Sequence, residues 1–209
     1  MEPINLVVVV ISCKKHQHLW PTILSRNVPN LYIVCGGFQE TRLNRNILGL
    51  NCNDFYEGLP EKVICTYEFI FKNIRFTHIL KIDDHDTEFT SEQIQSIETK
   101  YKNILDTQNY IGQKLLIGPI DRKYHCSKVQ NNSMWKTKEY TGDYKPWLGG
   151  GESYILTKKA VQCILSKYNE LNMDILRNNE IFEDLMIGRL LFEFNIHPYL
   201  LNYGIKAWG

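Results

Sequence analysis

Thr77-His78-Ile79-Leu80-Lys81-Ile82-Asp83-Asp84-His85-Asp86 is the stretch on which the reading of this chain turns. Residues 78–82 form an apolar run of strand length, and it leads straight into three carboxylates within four positions. Negative charges so close repel one another unless a cation lies among them. Hard oxygen ligands at i and i+2 in an extended or turning segment can converge on one ion, and they suit Mg²⁺ or Mn²⁺. The plainer alternative is a solvated turn whose Asp caps the next segment. The position directly beyond a buried strand favours a site.

Outward from this stretch, apolar runs of strand length alternate with helical periodicity. Residues 6–11, 31–35, 115–118, 153–156 and 198–202 read as further strands. Leu59, Val63, Tyr67, Phe71 and Ile74 mark a helix. Ile94, Ile97, Tyr101, Ile104 and Leu105 mark another, with Thr90 and Gln93 placed as a capping box. Val161, Ile164, Leu165 and Tyr168 mark a third, and Leu185, Gly188, Leu191 and Phe194 a fourth. This alternation predicts a doubly wound α/β sheet flanked by helices, in one domain spanning 1–209. Ligands of such folds gather beyond the carboxyl ends of the strands. The long polar stretch 121–145 interrupts the rhythm without ending it and reads as a functional loop, a candidate lid or recognition element.

Bulk composition narrows the classes. The 209 residues are 44% hydrophobic and 12% aromatic, enough for a sizeable core. With 24 basic and 23 acidic residues the formal charge is +1, so no overall field draws the chain to nucleic acid or to an anionic membrane. A diphosphate would have to be held locally. The apolar run 6–11 is too short to span a bilayer or to serve as a signal core. Six cysteines (Cys13, Cys35, Cys52, Cys65, Cys126, Cys163) form no CxxC pair and read as buried free thiols of a reducing compartment, which makes the cytoplasm the expected location.

Three stretches, in order, resemble the β-1,3-glycosyltransferase family that includes the Fringe enzymes and the β-1,3-galactosyl- and N-acetylglucosaminyltransferases. Asn53-Asp54-Phe55-Tyr56-Glu57-Gly58-Leu59-Pro60-Glu61-Lys62 is similar to the family's D-x-Y-x-N-L-T-x-K. Leu80-Lys81-Ile82-Asp83-Asp84-His85-Asp86 is similar to its K-x-D-D-D. Tyr144-Lys145-Pro146-Trp147-Leu148-Gly149-Gly150-Gly151 and Tyr154-Ile155-Leu156-Thr157, followed by Glu183-Asp184-Leu185-Met186-Ile187-Gly188, resemble Y-P-x-Y-x-x-G-G-G-Y-V-L-S with a later E-D-V-x-x-G. The resemblance covers about residues 50 to 190.

It implies a GT-A-like fold, a UDP-sugar donor, a hydroxyl acceptor on a glycan, a divalent cation (Mn²⁺, or Mg²⁺) and inversion at the anomeric carbon. Asp184 would be the general base. Its expected place in the first turn of a helix is one where the helix dipole favours negative charge. Asp84 and Asp86 would hold the metal. This pairing takes a one-residue slip past His85, because oxygen suits the ion better than the Asp83 and His85 of an ungapped match. His197, the only histidine after Asp184, would complete the metal shell. Ser12 and Lys15 stand at the nucleotide edge after the first strand, Lys62 would reach a phosphate or Asp83, and Asp83 and His85 belong to the donor segment. Trp147 would offer sugar C–H groups a flat face, Gly149, Gly150 and Gly151 would let backbone approach the acceptor, and Glu183 would position it. A donor half, about 1–118, and an acceptor half, about 119–209, follow.

Two departures stand out. The family's arginine-rich stretch after the first strand is replaced by Ser12-Cys13-Lys14-Lys15-His16, and Glu152-Ser153 is inserted after the glycines. Rival readings are a nucleotidyltransferase, which would want a glycine-rich loop after the first strand, and a carbohydrate-binding relative without turnover.

Overall fold

Leu-Val-Val-Val-Val-Ile, at Leu6–Ile11, has no polar residue on either face, the pattern of a strand covered on both sides. In the computed structural model, which describes residues 3–85 and 87–207, this run is β1 and pairs in parallel with a strand on each side. The chain continues through α1 (Trp20–Ser25), β2 (Leu31–Cys35), β3 (Arg42–Asn44), β4 (Ile47–Gly49), α2 (Leu59–Asn73) and β5 (His78–Asp83). Then come β6 (Thr87–Glu88), α3 (Ser91–Lys100), α4 (Lys102–Leu105), β7 (Tyr110–Gly112), β8 (Leu115–Leu116) and β9 (Trp147–Leu148). It ends with β10 (Tyr154–Thr157), α5 (Lys158–Lys167), α6 (Met173–Asn179), α7 (Glu183–Glu193), β11 (Tyr199–Leu200) and β12 (Lys206–Ala207).

The main sheet has the order β11-β7-β10-β5-β1-β2-β4-β3. It is mixed: β1, β2, β4 and β5 run parallel, while β10 lies antiparallel to both β5 and β7. This is the α/β sheet flanked by helices that the sequence predicts. Because β7 pairs with both β10 and β11, one sheet spans the stretches before and after residue 118.

The period-two alternation of β1 sorts the core into two layers. Val7, Val9 and Ile11 pack with Val63, Tyr67 and Ile70 of α2, Ile164 of α5 and Met186 and Leu190 of α7. Leu6, Val8 and Val10 pack with Trp20 and Ile23 of α1 and Ile94 and Ile97 of α3. Fully burying one such side chain contributes about 1.5–3 kcal/mol, so both layers are firmly sealed. The capping box of α3 forms as expected: Gln93 donates its backbone N–H to the Thr90 hydroxyl and accepts the Thr90 N–H on its side chain.

Several expectations shift. The strand expected at 115–118 is only Leu115–Leu116, and it pairs with Trp147–Leu148 outside the main sheet. The sheet position goes instead to β7, whose Tyr110 and Ile111 are completely buried. The six cysteines are all free thiols, but only Cys35 is buried; the other five are partly exposed. Among the described residues no helix is long and apolar enough to cross a membrane.

Candidate active site at the end of the central strand

Alternation along β5 decides where each acid points. Ile79 belongs to the α2/α5/α7 layer, whereas Leu80 and Ile82 belong to the α1/α3 layer. Lys81 and Asp83 share the face of Ile79. Asp84 continues the face of Ile82. Neighbouring carboxylates therefore serve opposite sides of the sheet.

On the α7 side Lys81 is completely buried, between Ile79 and Asp83 on its face of the strand. Its ammonium meets Asp83 Oδ1 at 2.6 Å, the Gly150 carbonyl at 2.8 Å and Glu183 Oε2 at 3.5 Å. Burial pulls the lysine pKa down, but Asp83 and Glu183 more than offset this and hold it above the ordinary lysine range. Glu183, 3% exposed, accepts a short hydrogen bond from the Tyr154 hydroxyl, which also meets Tyr67 Oη at 2.7 Å. Burial pushes the Glu183 carboxyl up to about 7, against the opposing pull of Lys81. With its oxygens committed to Lys81 and Tyr154, Glu183 braces the site from within. It also lines the cleft beside Asp184.

Asp184, the next residue, is half-buried. Its Oδ2 accepts the Gly150 N–H at 3.0 Å and its Oδ1 the Leu185 N–H at 2.8 Å. Two backbone donors thus fix its orientation in the first turn of α7. Four residues on, Gly188 lets α7 lie flush on β9: a Cβ there would stand 2.4 Å from the Trp147 Cβ.

On the other side Asp84 is held rather than free. It accepts a short hydrogen bond from the Ser12 hydroxyl and lies 3.0 Å from His16 Nδ1, while Trp20 Nε1 donates to Ser12 Oγ at 2.7 Å. The His16 ring lies 5.4 Å from that of His85. Ser12 is 4% exposed, so it anchors Asp84 from below. Lys15 is exposed on the turn after β1. Lys62 corrects the sequence reading: it is 3% exposed, pairs with Asp54 at 2.7 Å and donates to the Ser12 carbonyl at 2.7 Å. Asp54 also accepts the Gly36 and Lys14 N–H groups at 2.7 Å each. Lys62 therefore ties three loops together behind the site, its ammonium committed to Asp54 and the Ser12 carbonyl and not to Asp83.

A cleft of about 620 Å³ opens over the α7 side. Asp83, Gly150, Gly151, Glu183 and Asp184 form its polar wall, and Tyr56, Tyr124, Phe182 and Trp147 its aromatic one. Trp147 is only 2% exposed and packs with Trp135, Tyr140 and Phe182, so it backs the cleft instead of offering an open face. Tyr124 is 53% exposed, with the Lys128 ammonium 4.1 Å from its ring centroid and bonded to its hydroxyl at 2.9 Å. Gly149 is buried and donates its N–H to the Lys114 carbonyl at 2.9 Å, outside the cleft wall. The polar stretch 121–145 is an ordered cover. His125 stacks edge-on against Trp135 and Phe182, and Trp135 Nε1 donates to the Arg177 carbonyl at 3.0 Å. Its Asp121, Tyr124 and Lys128 reach the cleft.

His197 does not join this end of the sheet. Leu200 is level with Gly112, Gly112 with Tyr154, and Tyr154 with Lys81. His197 enters β11 earlier and so lies toward the opposite end from Asp84, where it meets Asn195 Oδ1 at 3.0 Å and the Phe192 ring. Being the last histidine in sequence carried no information about height in the sheet. Asp86 lies outside the described residues.

Sequence reasoning overlooked Lys81, Tyr154 and His16 as site residues. Lys81 had a signal: a lysine on the core-facing period of a buried strand needs buried acceptors.

Among the described residues no group of three His, Cys, Asp or Glu stands together as a ready metal cage. A nucleotide-bound Mg²⁺ or Mn²⁺ asks for less: one or two carboxylates, with phosphate oxygens completing the shell. Asp84, its side chain 5% exposed and its oxygens bonded to Ser12 and His16, would have to exchange one of these bonds for the ion, whereas the neighbouring Asp83 is 27% exposed and lines the cleft.

A family model described as galactosyltransferase matches residues 37–202. Among solved structures, the chain is similar to the 2-C-methyl-D-erythritol 4-phosphate cytidylyltransferase of Francisella tularensis, at 12% identity over 97% of this chain and 93% of that one, with a TM-score of 0.46. That likeness is too distant to carry a functional argument. No curated protein matches the chain.

Proposed function

Since the chain belongs to the galactosyltransferase family and is thus a glycosyltransferase, we propose that it moves a hexose or N-acetylhexosamine from a UDP-sugar to a glycan hydroxyl, with inversion and in a β-1,3-type linkage. The observation that carries this reading is the Asp184 carboxylate, held by two backbone amides in the wall of an aromatic-lined cleft beside Asp83.

Asp184 is the general base. The acceptor oxygen attacks the anomeric carbon from the face opposite the diphosphate. Its proton passes to Asp184 and the anomeric C–O bond to UDP breaks, so one attack gives inversion. Tyr124 and Tyr56 present ring faces and edges to the acceptor sugar, and the ordered cover keeps water from competing. Asp84 would hold a divalent cation, Mn²⁺ or Mg²⁺, together with Asp86, and its chemistry there is to neutralise the charge of the departing diphosphate. Donor groups then belong mainly to the first half of the chain and acceptor groups to the second. The turn Lys14–Leu19 after β1 contains no glycine, where nucleotidyl transfer would want a glycine-rich loop.

Calorimetry of UDP binding with and without Mn²⁺ tests the donor side. Asp84→Ala should abolish the Mn²⁺-dependent part of the affinity. An unchanged affinity in Mn²⁺ would reject Asp84 as the metal-holding group.

A further inference from the structure

The transfer just described gives no task to Lys81, yet this is the most completely buried cation at the site. Its ammonium has three protons and three acceptors: Asp83, the Gly150 carbonyl and Glu183. Burying a lysine is costly, and an apolar side chain of similar length would fill the same space without that cost. Gly150 is bonded in both directions, its carbonyl accepting from Lys81 while its N–H donates to Asp184. A Cβ at this position would meet Glu183 Oε2 at 2.8 Å, Asp184 Cβ at 3.1 Å and Lys81 Nζ at 3.2 Å, so only glycine lets the three groups close around it.

We infer that Lys81 is a positioning residue for the transfer: by gripping the Gly150 carbonyl and Asp83 together, it sets the backbone amide that aims the Asp184 carboxylate at the acceptor hydroxyl. The inference rests on the reading of Asp184 as the base. Glu183 completes the grip from below, and Tyr154 and Tyr67 hold Glu183 in turn. The lysine thus links the last residue of the central strand to the first turn of α7 through the backbone of one residue, Gly150, whose carbonyl and N–H lie on either side of its Cα. Asp184 remains the base; Lys81 governs its aim.

Steady-state kinetics of UDP release, on the full chain with the UDP-sugar it turns over best, test this with Lys81→Met, Lys81→Arg, Gly150→Ala and Asp184→Asn. A misaimed base costs rate more than binding. Lys81→Met and Gly150→Ala should each lower kcat by roughly 100-fold while the KM values stay within about threefold. Lys81→Arg, which keeps charge and donors, should recover part of the loss. Full kcat in either Lys81→Met or Gly150→Ala, or a loss confined to KM or to Tm, overturns the inference. If Lys81→Met fails to fold, Gly150→Ala, with Lys81 intact, decides alone. The underlying reading fails separately, by wild-type turnover in Asp184→Asn.

Discussion

At the scale of single residues, the site is organised by which polar groups are buried and what they are given as partners. Glu183 shows the consequence most directly. Its carboxyl, ordinarily near 4.5, is raised by burial to about 7. A group whose pKa is higher in the folded chain than in the unfolded one holds its proton more tightly when folded. The stability this provides is complete below about 4.5 and is lost as pH climbs through about 7. Glu183→Gln, permanently neutral and of the same shape, should therefore lose less stability than the native chain over that window. The difference should be on the order of 3 kcal/mol at most, from about 1.4 kcal/mol per pH unit. Denaturant titrations at a series of pH values check it, and parallel curves for the two proteins would contradict it. Asp184, Asp83 and Asp84 were legible in the sequence because carboxylates beyond a buried strand and in the first turn of a helix are conspicuous. Lys62 was misread because a lysine on an amphipathic helix is ordinarily solvated, and only the fold brings Asp54 and the Ser12 carbonyl around it.

At the scale of elements, long apolar runs could be read and short ones could not. β1, β2, β5 and β10 announce themselves by mainly apolar runs, and α2, α3, α5 and α7 by periodicity. β7 is three residues whose pairing with β10 and β11 gives it its place. α1 and α6 are too short for a periodic signal to stand out. The capping box of α3 was visible because its chemistry is local, Thr90 and Gln93 satisfying each other's backbone donors. Thr90→Ala should cost about 1 kcal/mol, or roughly 2–4 °C in Tm, and leave turnover unchanged, since α3 packs in the layer of Trp20 and Ile23 and none of its residues lines the cleft. Thermal melts and UDP-release rates measured side by side test this; an unchanged Tm would remove the cap from the account. The stretch 121–145 reads as a polar loop because its few anchors, His125, Val129, Trp135 and Tyr140, recur at no regular spacing. They bury themselves against α7 and β9 only once the sheet exists.

At the scale of the molecule, one sheet carries both ends of the proposed reaction. The parallel strands deliver Ser12, Asp83 and Asp84 to a common edge, and β10 and α7 return from the far side of the loop to place Gly150 and Asp184 against them. The near-zero formal charge leaves any recognition of a diphosphate to this local edge. Order along the chain revealed the parts. Their division between two faces of β5 needed the register. The most direct measurement is a panel of UDP-sugars incubated with the native chain and with Asp184→Asn in the presence of Mn²⁺, followed by release of UDP. At least one sugar nucleotide should be turned over by the native chain, with the rate falling by a factor of about 100 or more in the variant. Release at equal rates from both proteins, or none from any donor by a folded native chain, would contradict the account.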